Sequence, residues 1–413
     1  MYSQFSNSKC SNYGILYSIL LIISTFMIFR TWPILERTWL VQGVIFTITI
    51  LVSRKFYQTK IFFAIIIYIL TVFLNVVTGD DHFNRYIDVL LEFFKFTIPS
   101  AITFYILKRG NMKDIKLIIS LFYLFVVYTS IISLIINVSF PGVIRDIVAI
   151  VNGGGDTSAY NIFFRIGLSN YYLPHCLPVL IPALYLGINN KDLKIKYRVG
   201  LLVVWISIIL LAYCSGATTA LLFSLIFSVV TLFLNPRLNA TNNFIRLAIM
   251  ILIFSPILLN KTFLYDILVY SESFFYDTYF YTKILNLQDM LQYNEISGFA
   301  EGRADLYNDS ISELGTSLLV GSNEKLGGHS AILDRFASLG IVGFLPFVFI
   351  FVLQYKFIVG YISNKSKVFY IYGSLIAFMM LFLKYMLYYE MSVIVLTILP
   401  LSIILFEKNK IIV

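Results

Sequence analysis

Apolar residues in this chain come in long unbroken runs that recur from the first segment to the last. The runs fall at about 13–30, 38–52, 61–78, 86–107, 115–137, 170–188, 199–214, 217–234, 244–259, 337–355, 368–384 and 388–406. Each is close to the roughly 20 residues that a helix rising 1.5 Å per residue needs to cross a hydrocarbon layer. A backbone in lipid must satisfy its own polar groups, so runs of this kind predict helices. The pattern therefore predicts an all-α polytopic membrane protein with about 12 transmembrane helices, one integral membrane unit over 1–413. Two polar stretches exceed the short connections of a compact bundle and predict enlarged outer loops at 138–169 and 260–336, the larger toward the C-terminal third. Function is expected in those loops.

Composition agrees: 59% of residues are hydrophobic and 13% are charged, against about 25% charged in soluble domains. Soluble, disordered and nucleic-acid-binding classes are excluded. The net charge is +9, from 31 Lys and Arg against 22 Asp and Glu. Threading the runs alternately gathers the basic stretches around Arg54, Lys108, Lys113, Lys194, Lys365 and Lys408 on one side, where acids are few. Loops rich in Lys and Arg stay in the cytoplasm, so both termini are expected there. The basic excess then reports topology, and no nucleic-acid partner is implied. The first run, Tyr13 to Phe29, lacks a small-residue cleavage site and reads as a span rather than a signal peptide. No internal repeat is evident.

Chemistry-bearing residues are sparse. His82, His175 and His329 all fall on the outer side, and no short His/Asp spacing asks for a metal. Asp80-Asp81-His82 comes nearest and reads better as the cap of a span. Cys10, Cys176 and Cys214 are far apart in sequence and read as buried thiols. The stretch Phe263 to Tyr281 is dense in Phe and Tyr, which suits a membrane interface or, less well, sugar stacking. Glu92 and Lys95, three apart within a run, predict a self-neutralising pair; Lys384 and Glu390 are expected to flank a short outer turn. Residues 199–234 barely accommodate two crossings, so Ser215-Gly216 should form a tight turn, sunk below the outer surface.

Gly302-Arg303, Leu306-Tyr307, Gly321, Gly328-His329-Ser330, Leu333-Asp334, Ala337 and Gly340-Ile-Val-Gly343 together resemble the C-terminal signature of bacterial O-antigen and capsule repeat-unit polymerases (Wzy-type). That superfamily also contains the O-antigen ligases. Arg165-Ile-Gly-Leu-Ser-Asn170 is similar to the family's pattern before the following span. The specific motif covers about 298–343 and, more weakly, 161–170. One departure is plain: many relatives carry Ser-Arg-Gly at the tight hairpin, where this chain has Ser215-Gly216-Ala217.

The resemblance implies a metal-independent glycosyltransferase of the bacterial cytoplasmic (inner) membrane, without a cofactor. It would join undecaprenyl-pyrophosphate-linked oligosaccharide repeat units into O-antigen (lipopolysaccharide) or capsular polysaccharide on the outer face. Expected partners are that lipid-linked donor and acceptor, the bilayer, a flippase and a chain-length regulator. The implied catalytic residues are Arg303, holding pyrophosphate as a planar fork, and His329, as base or pyrophosphate donor. Arg165, Asn170, Tyr307, Ser330, Asp334 and Arg335 are implied in substrate binding, with Arg303 and Arg335 alternatively pairing with loop acids. Two other functions stand beside the polymerase: a ligase passing glycan to lipid A core, and a flippase or transporter of lipid-linked oligosaccharide. A long outer loop carrying His and Arg counts against the flippase.

Overall fold

The computed structural model describes residues 9–26, 29, 38–78, 83–152, 160–276, 279–293, 298–316, 318–322, 330–384 and 387–408. Among them every regular element is helical. In chain order, α1 is Asn12–Thr25, α2 Thr38–Val52, α3 Lys60–Thr78, α4 Phe83–Arg109 and α5 Met112–Ser139. Two short helices follow, α6 Val143–Asn152 and α7 Asn161–Arg165, and then α8 Leu173–Cys176 and α9 Ile181–Asn189, joined through a tighter turn at Leu177–Leu180. Next come α10 Ile195–Cys214, α11 Thr218–Leu232, α12 Ala240–Leu259, α13 Lys261–Phe275, α14 Tyr279–Tyr293 and α15 Gly298–Thr316. The chain ends with α16 Ala331–Ile358, α17 Lys367–Leu383, α18 Tyr389–Val393 and α19 Leu399–Lys408.

A helix stands at each of the twelve apolar runs. Six helical stretches among the described residues are long and apolar enough by themselves to cross a membrane, and others, such as α1, α2, α11 and α17, are apolar but shorter. The protein thus has the helices of a multi-pass membrane protein. The two stretches expected as loops are themselves largely helical: α6 and α7 lie in the first, α13 to α15 in the second, and α16 starts at Ala331 rather than near 337.

Local chemistry sets several helix starts. Ser11, Asn111, Asn260 and Ser330 each accept a hydrogen bond from a first-turn amide, those of Gly14, Lys113, Phe263 and Leu333. The stretch Tyr389–Phe406 is buried along its whole length and forms the centre of the bundle. At Ile394–Ile398 it widens into a π turn facing Pro99 of α4. Thr103 Oγ1 and Gln354 Nε2 donate to the Leu396 carbonyl at 2.8 and 3.2 Å, and Thr397 Oγ1 donates to that of Pro99 at 3.0 Å. Irregular backbone at this depth is thereby paired by hydroxyls and an amide of neighbouring helices.

The basic stretches meet at one end of the bundle. There Asn111 Nδ2 donates to the Lys9 carbonyl, Asn190 Nδ2 to the Phe406 carbonyl, and the Ser363 amide to the Glu407 carboxylate. The tight α10–α11 turn lies at the other end, with Gly216 at φ +63° and Ser215 fully buried. It is sunk, as its length demands, beneath α14: Phe280 stacks on Tyr213 with ring centroids 5.8 Å apart.

Candidate functional site

A break in α16 shapes the site's surroundings. Gly340 leaves the helical region at φ 59°, ψ −170°, which interrupts the hydrogen-bond ladder. Four of the groups set loose find partners from outside the helix. The amides of Ile341 and Val342 donate to the carbonyls of Leu318 and Leu319 at 3.0 and 3.2 Å, and the Ser322 amide donates to the Ala337 carbonyl at 3.0 Å. Asn75 Nδ2 of α3 donates to the Ser338 carbonyl at 2.8 Å. Backbone packs on backbone here, so a Cβ on Gly321 would come within 2.2 Å of Ser338 O, and one on Gly340 within 2.4 Å of Leu319. Gly321 and Gly340 of the motif are thus used to dock 318–322 onto the break in α16.

On the N-terminal side of the break, α16 carries Asp334 and Arg335. Ser310 Oγ of α15 donates to Asp334 Oδ1 at 2.7 Å. Arg335 Nη2 lies 3.2 Å from Glu92 Oε1 in α4, and Glu92 also receives Lys95 Nζ at 2.5 Å and the Tyr68 hydroxyl at 2.7 Å. The expected Glu92–Lys95 pair is present and is joined by Arg335, which pairs with this carboxylate inside a membrane-length helix. Ser330 spends its hydroxyl on capping α16 at Leu333. Tyr307 donates to the Leu383 carbonyl at 2.7 Å and so pins α15 across the end of α17. Arg303 lies one turn earlier in α15, and its side chain is outside the described residues, as are Asp80, Asp81, His82 and His329.

The end of α17 leads to the densest polar cluster. Lys384 Nζ lies 3.3 Å and Arg145 Nη1 of α6 lies 3.1 Å from the Tyr171 hydroxyl, and both cations also sit over that ring, at 5.6 and 5.4 Å from its centroid. Arg145 and Lys384 are half-buried, Tyr171 is buried. The ring of His175 lies 4.8 Å from that of Tyr171, and its Nδ1 is 2.9 Å from the Tyr171 carbonyl. Beside them Asn170 accepts from the Leu173 amide at 2.8 Å, ordering the start of α8, and donates through Nδ2 to Glu390 Oε1 at 3.1 Å. Tyr172 and Tyr388 stack with centroids 3.8 Å apart. Arg165, by contrast, is exposed at the end of α7.

Two cations on one phenol form a concentrated positive site, and a buried carboxylate with an aromatic pair stands next to it. Such a set can hold an anion and accept a proton or a sugar hydroxyl. Of the residues singled out in the sequence, Asn170 belongs to this cluster and Tyr307 reaches the Leu383 carbonyl beside Lys384, whereas Asp334 and Arg335 bond to Ser310 and Glu92. Arg145, Tyr171, Lys384 and Glu390 were not singled out as site residues. Their signal is faint: Arg145 is the one cation in the apolar-faced stretch 143–152, and Lys384 and Glu390 bracket a Tyr-rich connection between two apolar runs. Among the described residues no group of His, Cys, Asp or Glu is arranged to hold a metal. No protein-family model, curated protein or solved structure matches the chain.

Proposed function

We propose that the protein is a polymerase of undecaprenyl-pyrophosphate-linked oligosaccharide repeat units, working at the end of the bundle that holds Tyr171. The observation that carries this reading is the pair of half-buried cations, Arg145 and Lys384, converging on one phenol beside the Asn170–Glu390 bond. The motif resemblance supplies the substrate class. In the reaction a hydroxyl of the acceptor unit attacks the anomeric carbon of the donor glycan, and the bond from that carbon to the pyrophosphate oxygen breaks. The electron pair leaves with undecaprenyl pyrophosphate, and the acceptor proton passes to a base. Arg145 and Lys384 neutralise the departing pyrophosphate, which gathers charge in the transition state. Arg303 adds a planar fork to the same task, and His329 takes the proton.

The test is a purified assay on lipid-linked repeat unit alone. The wild type yields a ladder of products, with or without chelator. Arg145→Gln and Lys384→Gln each reduce the ladder by about a hundredfold or more while the protein stays monodisperse, the loss expected when one charge-stabilising group is removed. A full ladder from both variants would remove this site from the reaction. Transfer of preformed glycan to lipid A core without a ladder would identify a ligase, and translocation without any new glycosidic bond a flippase.

A further inference from the structure

At the opposite end of the bundle, among the basic stretches, a groove of about 440 Å³ opens between α5 and α10 and is floored by Leu405 and Phe406 of α19. Its two ends differ in chemistry. Lys116, Lys194 and Lys196 stand at the mouth with Asp192, and Ile119, Tyr123 and Val127 continue inward along one face of α5. Lys116 Nζ and Lys196 Nζ each lie 5.3 Å from the centroid of the Tyr197 ring, so both ammonium groups are held against one ring of the rim. No side chain caps the start of α10 at Lys194, which leaves helix-start amides at the same mouth. From Lys116 to Val127 the groove runs eleven residues of helix, about 16 Å. The walls beyond the mouth are almost wholly apolar, and both helices are long and apolar enough to span a membrane.

We propose that this groove binds one anionic glycerophospholipid, with its phosphate at Lys116, Lys194 and Lys196 and an acyl chain along α5 toward Val127. Charge complementarity decides the occupant. Three lysines against one aspartate select a negative headgroup, and basic pockets between membrane helices are where such headgroups bind. The apolar remainder fits a chain and nothing charged. The volume falls within the roughly 300–1,000 Å³ of ordinary small-molecule sites. Gly200 forms part of the wall, and a Cβ added there meets no atom within 4 Å, so a side chain can begin there without a clash.

The full-length protein in detergent is titrated with phosphatidylglycerol, phosphatidylcholine and soluble glycerol phosphate, with bound mass read by native mass spectrometry and thermal midpoint read alongside. Wild type should retain one phosphatidylglycerol with at least about tenfold preference over phosphatidylcholine, and the midpoint should rise saturably. In the Lys116→Gln, Lys194→Gln, Lys196→Gln triple variant that preference should fall to within about twofold. Gly200→Phe, with all lysines intact, should lose the retained lipid while the lipid-free midpoint stays at the wild-type value. The proposal is overturned by equal retention of both lipids in wild type, by unchanged retention in either variant, or by an equal shift from glycerol phosphate. A lipid-free dimer that Gly200→Phe dissociates would overturn it in favour of a second copy.

Discussion

Single residues in this protein are held by charge and by shape in separable ways. Glu92 is buried and receives Lys95, Arg335 and Tyr68 at once. Removing its charge strands two cations in a low-dielectric setting, and breaking a buried pair in this way costs about 3 kcal/mol. Glu92→Gln should therefore lower the thermal midpoint sharply, and Arg335→Gln should do so less. The double variant should lose less than the two single losses added, a coupling absent if the residues do not touch. A second test concerns Cys10, whose thiol donates to Asp114 Oδ1 at 3.2 Å. Partial burial, and then the bond and charge of Asp114, push its pKa above the ordinary value. The thiolate is the reactive form, so little is present at neutral pH. Asp114→Asn should lower that pKa and speed maleimide labelling of Cys10 at pH 7 severalfold, and an unchanged rate would mean that Asp114 does not govern it.

At the scale of elements, the helices were legible and their interruptions were not. Apolar runs of span length leave a backbone no alternative to a helix, so positions such as 61–78 and 199–214 read directly as α3 and α10. The break in α16 depends on backbone arriving from 318–322 and on Asn75 from α3, a relation that no local pattern carries. The polar cluster at Tyr171 is illegible for the same reason: Tyr171 and Lys384 are 213 positions apart, and Asn170 and Glu390 are 220 apart. What the sequence did mark was the glycines, because close approach excludes every other side chain. Gly340 combines a positive φ with a Cβ position 2.4 Å from the Leu319 backbone. Gly340→Ala should cost of order 3 kcal/mol and free 318–322 from α16. Hydrogen-exchange mapping should then show new exposure at 318–322 with α5 and α10 still protected. Protection equal to wild type would mean that the docking does not depend on this glycine.

At the scale of the whole molecule, the separation of charge makes orientation a single choice rather than twelve. Asn111 bonds to Lys9, Asn190 and Ser363 bond to the adjacent Phe406 and Glu407, and Lys116 lies over the Tyr197 ring, so these stretches must share one side of any membrane the protein spans. That end is the one dense in lysine and arginine, and short basic loops remain in the cytoplasm. On that orientation Tyr171, Arg145 and Lys384 would face outward, the side from which the proposed polymerase would take its lipid-linked unit. Reporter fusions after Lys113, Lys194 and Ser363 should all report cytoplasm, and fusions near Gly153 and Glu301 should report the outer side. Cysteine placed at Ser273, exposed on α13, should react with an impermeant maleimide in intact cells. The coupling sharpens the reading of a failure. If Lys113 and Lys194 reported opposite sides, the bundle as described would be wrong, since its loops could not meet. If all five fusions were inverted together, the bundle would stand and the anion site would face the cytoplasm. A polymerase acting on flipped units would then be excluded, whatever the activity of its arginine and lysine variants.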